Sequence, residues 1–389
     1  MRYIALLGIL CFPQDKPVPP PPKPADPKPQ AQDPAPIDSR LQGRIDVAVE
    51  KGIAWLLEQA KGDRINMTPG LPGGMDHSEL VLYALIYGGA DYDHAGFQKV
   101  LAVATTAKLG RTYRVALTAM CLEAFDRSKY QARIAECAQF LADTQCKNGQ
   151  WSYGEATKKP DDTPTGGDGK PVKGDKNSTV GTTTEVKARA AGPPTGDNSN
   201  TQYAALGIRS CAKAGVTVEK KVVEAALKWW ESSMHADGGW GYASNGQVDG
   251  DPVYGSMTAG AVASMVIYNT LLKDAKKDPK KHDKTLKGVE WMGKNLVYDK
   301  NPGLAESYRW VYYWLYGIER AGDLFGTDTF GPNEWYTEGS SWLLDRQEKN
   351  GRWEGREHLV ITDTCFAILF LRRATKLAPK VATGGTKDK

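Results

Sequence analysis

Histidine is scarce in this sequence, five in 389 residues, and the six cysteines form no C-x-x-C pair. Zinc ribbons and thioredoxin-type redox centres need closely spaced thiols, so neither is supported. Charge of one sign is nowhere concentrated. Lys and Arg number 50 against 46 Asp and Glu, and the net +4 is spread along the chain. A nucleic-acid surface would gather its cations on one face or arm, so no nucleic-acid partner is expected. Long apolar runs are also missing. The stretch from Tyr3 to Phe12 is too short to span a bilayer, and no transmembrane helix is expected in the mature chain. There is no convincing run of strands, no Ser-His-Asp set, no phosphate-binding Gly loop and no thioester Cys-Gly-Glu-Gln.

What is present begins with an export signature. Residues 1–14, "MRYIALLGILCFPQ", carry one positive charge and then a short apolar run, which suits a secretory signal whose cleavage position is not marked. The protein is therefore expected to be periplasmic or extracellular. Cys11 raises the possibility of a lipid anchor, but Leu10 before it is bulky where a lipoprotein signal wants a small residue. Residues 15–40 are expected to be a disordered, extended linker. The stretch from Pro13 to Pro36 holds 11 of the 23 prolines, each fixing φ and lacking a donor. A folded domain over 41–376 and a disordered tail over 377–389 complete the chain.

Within 41–376, helix-like blocks of 12 to 16 residues alternate with turns rich in Gly, Asp and Asn. Two segments match closely: "FLADTQCKNGQW" from Phe140 and "WLLDRQEKNGRW" from Trp342 both read aromatic-Leu-x-x-x-Gln-x-x-x-Gly-x-Trp. "WWESSMHADGGW" from Trp229 keeps the frame with Met234 in place of Gln. Gly-x-x-Trp recurs at Gly52, Gly288 and Gly339. Such a unit is physically legible. The aromatic-Leu pair buries one helix face, the glycine allows positive φ at the helix end, and Gln and Trp can clasp the turn. Each turn leads into a more apolar helix, such as "TCFAILFLRRA". Six outer helices are expected near 44–60, 94–108, 130–145, 219–234, 284–297 and 334–347. Six inner helices are expected near 77–87, 112–125, 200–213, 256–272, 306–321 and 362–374. Inner helices this apolar cannot line an open concave surface, so the all-α fold expected is a closed (α/α)6 toroid in which the last pair abuts the first.

The Gln-x-x-x-Gly-x-Trp turns at Gln145 and Gln347 resemble the QW-type repeats of squalene–hopene cyclases and protein prenyltransferase β-subunits, over roughly residues 44 to 375. "WVYYWLYGIERAG" and "DTCFAILFLRRA" also look like secreted bacterial members of that superfamily. The resemblance implies an α/α toroid and, as an expectation, an apolar or isoprenoid ligand. In the cyclases the matching helix opens with D-x-D-D-T-A, whose middle Asp protonates an alkene. On that frame Val360 falls at the first Asp, Thr362 at the donor and Asp363 at the last. Thr362 cannot protonate carbon, which disfavours this chemistry unless the register slips by one. Asp363 and Thr362 are still the positions where catalysis would sit. The prenyltransferases hold zinc with D-x-C and a His opening the next inner helix. Asp363 and Cys365 match the spacing, and in a closed ring His77 takes the third place. The plainer reading is favoured: a helix start capped by Asp or Thr, with a small buried Cys. No cofactor is then expected.

The stretch "ESYRWVYYWLYGIER" supplies further candidates. Helical spacing sends Tyr308, Tyr312 and Leu315 one way and Trp310, Tyr313 and Trp314 another. Tyr308, Trp310, Tyr312 and Tyr313 could form an aromatic wall for a ligand, with Arg309 beside Glu306 for an anion; core packing is the alternative. The polar insertion 155–198 cannot bury enough to fold alone, and it emerges where inner helices begin, as a solvated excursion or a lid. Asp249 and Asp251 are the best acids for glycoside cleavage, although a turn role suits them better. A Cys121–Cys137 disulfide would suit an exported chain. No protein partner is indicated.

Overall fold

Twelve α-helices alternate between two layers among the residues described by the computed structural model, 38–60, 78–154, 183–272 and 278–375. The outer helices are α1 (Ser39–Gln59), α3 (Ala95–Thr106), α5 (Gln131–Asp143), α7 (Lys220–Ser232), α9 (Asp283–Asn295) and α11 (Trp335–Leu344). The inner helices are α2 (Ser78–Gly88), α4 (Thr112–Asp126), α6 (Asn198–Lys213), α8 (Gly255–Leu272), α10 (Val311–Phe325) and α12 (Val360–Leu371). The signal 1–14, the linker up to residue 37, the tail, residues 155–182 and His77 lie outside the described residues.

Side-chain patterning explains the two layers. In α7, Val222, Val223, Ala226, Leu227 and Trp230 are buried at helical spacing, while Lys220, Lys221, Glu224 and Lys228 occupy the other face. Every residue of α2 from Ser78 to Tyr87 is buried, and so is every residue of α12 from Thr362 to Leu371. A helix with no exposed face needs neighbours on all sides. Accordingly α2, α4, α6, α8, α10 and α12 pack each against the next, and α12 packs back against α2. Outside that ring α1 packs against both α11 and α12. The two ends of the folded region meet, and the expected (α/α)6 toroid is what forms.

The turns hold the outer layer together. At Gln145 the side-chain amide donates to Gly149 O (3.3 Å) and to Val222 O on α7 (2.9 Å). At Gln347 it donates to Gly351 O (2.8 Å) and to Ala48 O on α1 (2.7 Å), which joins the last outer helix to the first. The indole N–H groups of Trp151, Trp240 and Trp353 reach back to Leu141, Trp230 and Leu343 carbonyls at 2.8, 2.9 and 2.8 Å. All three indoles are fully buried, and removing such a side chain typically costs about 3–5 kcal/mol. Gly149 and Gly351 have φ of +95° and +94°, and a Cβ on either would stand 2.3 Å from Ala225 O or 2.5 Å from Lys51 O. Only glycine permits both that conformation and that approach.

Four expectations are corrected. Helix α1 starts at Ser39, inside the linker boundary of 40, because Asp38 Oδ1 accepts from Arg40 N at 3.0 Å. The described end of the polar insertion is not a free excursion: β1 (Thr184–Val186) pairs in parallel with β2 (Val216–Val218). Lys187 O and Arg189 are then tied to Gln139 and Asp143 of α5. The fifth inner helix starts at Val311 and not near 306, because Trp310 adopts φ +58° and its N–H is taken by Glu357 Oε1 at 2.7 Å. Finally, Cys121 and Cys137 are not joined. Both are free thiols, like Cys146, Cys211 and Cys365, and all five are buried.

Candidate functional site: the central cavity

Because the inner helices all start on the same face, their first turns together enclose a space. A cavity of about 1020 Å³ opens there, lined by one or more residues from each of the six: Leu80, Tyr113, Tyr203, Met257, Tyr313 and Phe366 among them. That volume sits at the upper end of ordinary small-molecule sites. Loops add Tyr153, Tyr242, Tyr254, Leu304 and Trp310 to its wall.

Three tyrosines from three different helices meet on the wall. The Tyr113 and Tyr203 rings are 4.3 Å apart, Tyr203 and Tyr313 lie 6.3 Å apart and near-parallel, and the Tyr113 and Tyr313 hydroxyls are 3.4 Å apart. Phe366 stands against Tyr313 at 5.5 Å. Burial pushes the phenol groups of Tyr113, Tyr203 and Tyr313 up from their ordinary value, so they remain neutral hydroxyls. Tyr153 and Tyr242 share a hydroxyl hydrogen bond of 2.8 Å beside them.

The charged residues on the wall are Arg111, Arg114, Arg309 and Glu306. Arg114 gives Nε and Nη2 to Glu79 Oε1 at 3.1 and 2.8 Å, Arg309 pairs with Glu306 at 3.0 Å, and exposed Arg111 stands at the rim. Below the wall, Arg320 is buried with its guanidinium 4.4 Å from the centre of the Tyr316 ring, 5.5 Å from Tyr203 and 5.7 Å from Tyr313. The aromatic faces supply the attraction that such a cation finds in a ring quadrupole.

Of the residues expected on the wall, Arg309, Trp310 and Tyr313 are there, and Thr362, expected where catalysis would sit, lines it as well. Tyr312 is not: it is buried on the outer side, edge-on to Trp342 at 6.0 Å. Tyr308 precedes the helix and is 39% exposed, so helical spacing does not govern it. Asp363 is buried behind Thr362. Its Oδ2 accepts from Gly355 N at 2.8 Å, and burial raises its pKa to about 8. It therefore does not cap α12, whose cap residue Leu359 makes no side-chain bond; it pins the preceding loop instead. Cys365 is buried and its thiol is pushed up by burial. Among the described residues no three His, Cys, Asp or Glu side chains converge as metal ligands, and His77 lies outside them. Asp251 Oδ2 accepts from Ala243 N at 2.6 Å and Asp249 lies on an exposed turn; neither reaches the cavity wall.

The residues that sequence reasoning passed over are Arg114, Tyr203 and Arg320. Arg320 left a signal: it follows Tyr316 by four residues and Tyr313 by seven, the spacing of one helical stripe.

No family model matches the chain, and no curated protein sequence matches it. Solved structures do resemble its fold. An inactive variant of the alpha-1,6-mannanase GH76A of Salegentibacter sp. HEL1_6, in complex with alpha-1,6-mannotriose, is 9% identical and covers 86% of this chain and 99% of its own, with a TM-score of 0.52. A possible member of the GH105 family from Salmonella enterica serovar Paratyphi A is 10% identical over 89% and 96%, with a TM-score of 0.51. A type II terpene cyclase from Scytonema in complex with geranylgeranyl dihydroxybenzoate is 11% identical over 87% and 99%, with a TM-score of 0.49. At these identities the likeness is one of architecture: the chain is an (α/α)6 toroid whose inner ring closes through α12 and α2.

Proposed function

We propose that this protein binds an apolar or isoprenoid small molecule in its central cavity, and that it does so as an exported protein. The observation that carries the reading is the wall itself. Its surface is mainly Tyr, Trp, Phe, Leu and Met, and it brings together the first turns of six helices. Such a concave, mostly apolar site with few polar groups is the ordinary form of a small-molecule pocket. Export rests on the apolar run of residues 1–14, which lies outside the described residues.

Three observations favour binding over catalysis. A cyclase-type proton donor would belong where Thr362 faces the cavity, while the neutral acid beside it, Asp363, is turned to the Gly355 amide. A carbocation would also be disfavoured near Arg320, since like charges repel and the tyrosine faces already serve the guanidinium. Glycan cleavage would need two acids across the cavity, yet among the described residues Glu306 is the one acid on the wall, and it is paired with Arg309.

Ala305 lies exposed on the cavity wall, in the loop before α10. Ala305→Trp should fill the mouth with little cost to the fold, since exposed substitutions away from the core usually change stability by about 0.5 kcal/mol or less. Titration with farnesol, followed by quenching of tryptophan fluorescence, should saturate at one ligand per chain in the wild type and weaken at least about tenfold in the variant. No saturable binding by the wild type, or equal binding by both proteins, would remove the proposal.

A further inference from the structure

Arg320 is fully buried, and among the described residues its hydrogen-bonding edge is left unfinished at two nitrogens. Its side chain is 1% exposed. Nη2 donates to Gln202 Oε1 at 2.9 Å, while Nε and Nη1 have no hydrogen-bond partner among the described residues. The hydroxyl of Tyr316, whose ring lies under the guanidinium, has none either. Buried polar groups in native proteins are nearly always satisfied, so this cluster asks for an acceptor.

The neighbours do not provide one. The tyrosine rings stabilise the guanidinium and the Tyr203 hydroxyl lies within its reach, yet Nε and Nη1 still have no acceptor among the described residues. Glu319 is adjacent in sequence, but its two oxygens accept from Thr375 N and Thr375 Oγ1 at 2.7 and 2.8 Å. Burial and the nearby Asp323 push its pKa up against the pull of Arg320, and neither of its oxygens is hydrogen-bonded to the guanidinium. Other arginines are handled differently: Arg114 is doubly bonded to Glu79, and Arg373 to Asp323. A buried cation with no carboxylate hydrogen-bonded to it is expensive to hold, and a ligand's acid would relieve that cost.

We infer that Arg320 is the anchor for an acidic head group, so that the cavity takes a long-chain monocarboxylate with its tail along the aromatic wall and its carboxylate reaching past Tyr203 and Tyr313 to the guanidinium. This rests on the binding function proposed above and names its ligand class. One cation suits one negative charge. A diphosphate carries more and would call for several cations, whereas Arg114 and Arg309 are already engaged by Glu79 and Glu306. The head goes to the floor because Tyr203 and Tyr313 both line the cavity and lie against Arg320.

The test compares farnesoic acid with farnesol, which share one tail, by calorimetric titration of the full chain at a pH where the acid is ionised. The wild type should bind the acid about tenfold more tightly or better, the factor a single charge-assisted hydrogen bond supplies. Arg320→Met should erase that preference while binding farnesol as before, and intact farnesol binding shows that the variant is folded. Arg320→Lys, which keeps the charge, should retain part of the preference. Equal wild-type affinity for acid and alcohol would overturn the anchor and leave the binding function standing. A preference that survives in Arg320→Met would overturn it too, moving recognition to the rim near Arg111. If neither probe binds, both the anchor and the function fall together.

Discussion

Asp363 shows how a single buried carboxyl sets a pH dependence. Its folded pKa is raised to about 8 by loss of solvent, opposed by the one amide it accepts from, against about 3.9 in an unfolded chain. An acid with a raised folded pKa binds more protons folded than unfolded between those values. Its favourable contribution is complete below about pH 4 and is lost as pH rises through 8. Asp363→Asn keeps an oxygen for Gly355 N and carries no charge. The variant should match the wild type below about pH 4 and exceed it at pH 8 by a margin on the order of a few kcal/mol. Urea midpoints at the two pH values check this. A variant weaker than the wild type at pH 8 would mean that the carboxylate is held charged by a partner. The residue scale is also where the sequence was hardest to read. Thr362 lines the wall, but Asp363 beside it and Tyr312 beside Tyr313 face elsewhere. Which side of a helix meets the ring's axis depends on neighbours that are distant in sequence, and one residue of rotation moves a side chain by about 100°.

At the scale of elements the sequence was far more legible, because a turn that is reused leaves its geometry in the letters. The backbone N–H groups of Trp151, Trp240 and Trp353 each donate to the hydroxyl of an inner-helix threonine, Thr201, Thr258 and Thr364, at 3.0 to 3.1 Å. The exception, Met234, is legible as well. Where Gln145 bonds Val222 O and Gly149 nears Ala225 O, the offset is three residues; Ala48 and Lys51 repeat it at Gln347 and Gly351. Gly238 approaches Lys287 O, so the equivalent acceptor for position 234 is Lys284 O. That joint is looser, with a Cβ on Gly238 3.1 Å from the carbonyl, and Asp237 Oδ2 links it to α9 through Trp291 Nε1 at 3.1 Å. Met234→Gln should add the missing clasp and stabilise the protein by about 1 kcal/mol. A rise in urea midpoint without a change in slope would show it, and no gain would mean that the gap is too wide for the amide to bridge. The strands β1 and β2 were missed because three residues are too few to display an alternation.

For the molecule as a whole, closure separates a toroid from an open row of helix pairs. In an open array each pair answers chiefly to its neighbours and the ends can unravel separately. Here the ends are stapled: Gln347 bonds Ala48 O, Arg44 pairs with Asp345 at 3.1 Å, and Arg372 bonds Asp46. The exposed Arg44–Asp345 pair contributes little, as surface ion pairs do, so the seam depends on the turn at Gly351. A methyl there would meet Lys51 O at 2.5 Å, with the backbone already at φ +94°. Gly250 offers the right comparison, since its φ is +78° and a Cβ would meet nothing within 4 Å. Gly250→Ala should therefore cost only backbone strain, about 1–2 kcal/mol. Gly351→Ala should cost more, roughly 3 kcal/mol or above, because the strain is joined by a collision between backbone segments that were 299 residues apart along the chain at Gln347 and Ala48. The closed ring further demands that this loss be global. Amide exchange in α2 and α12 should quicken together in Gly351→Ala, and urea should still unfold the chain in one transition at a lower midpoint. If exchange quickened only in α11 and α12, with α1 and α2 untouched, the two ends would be behaving as neighbours in space without sharing a cooperative core.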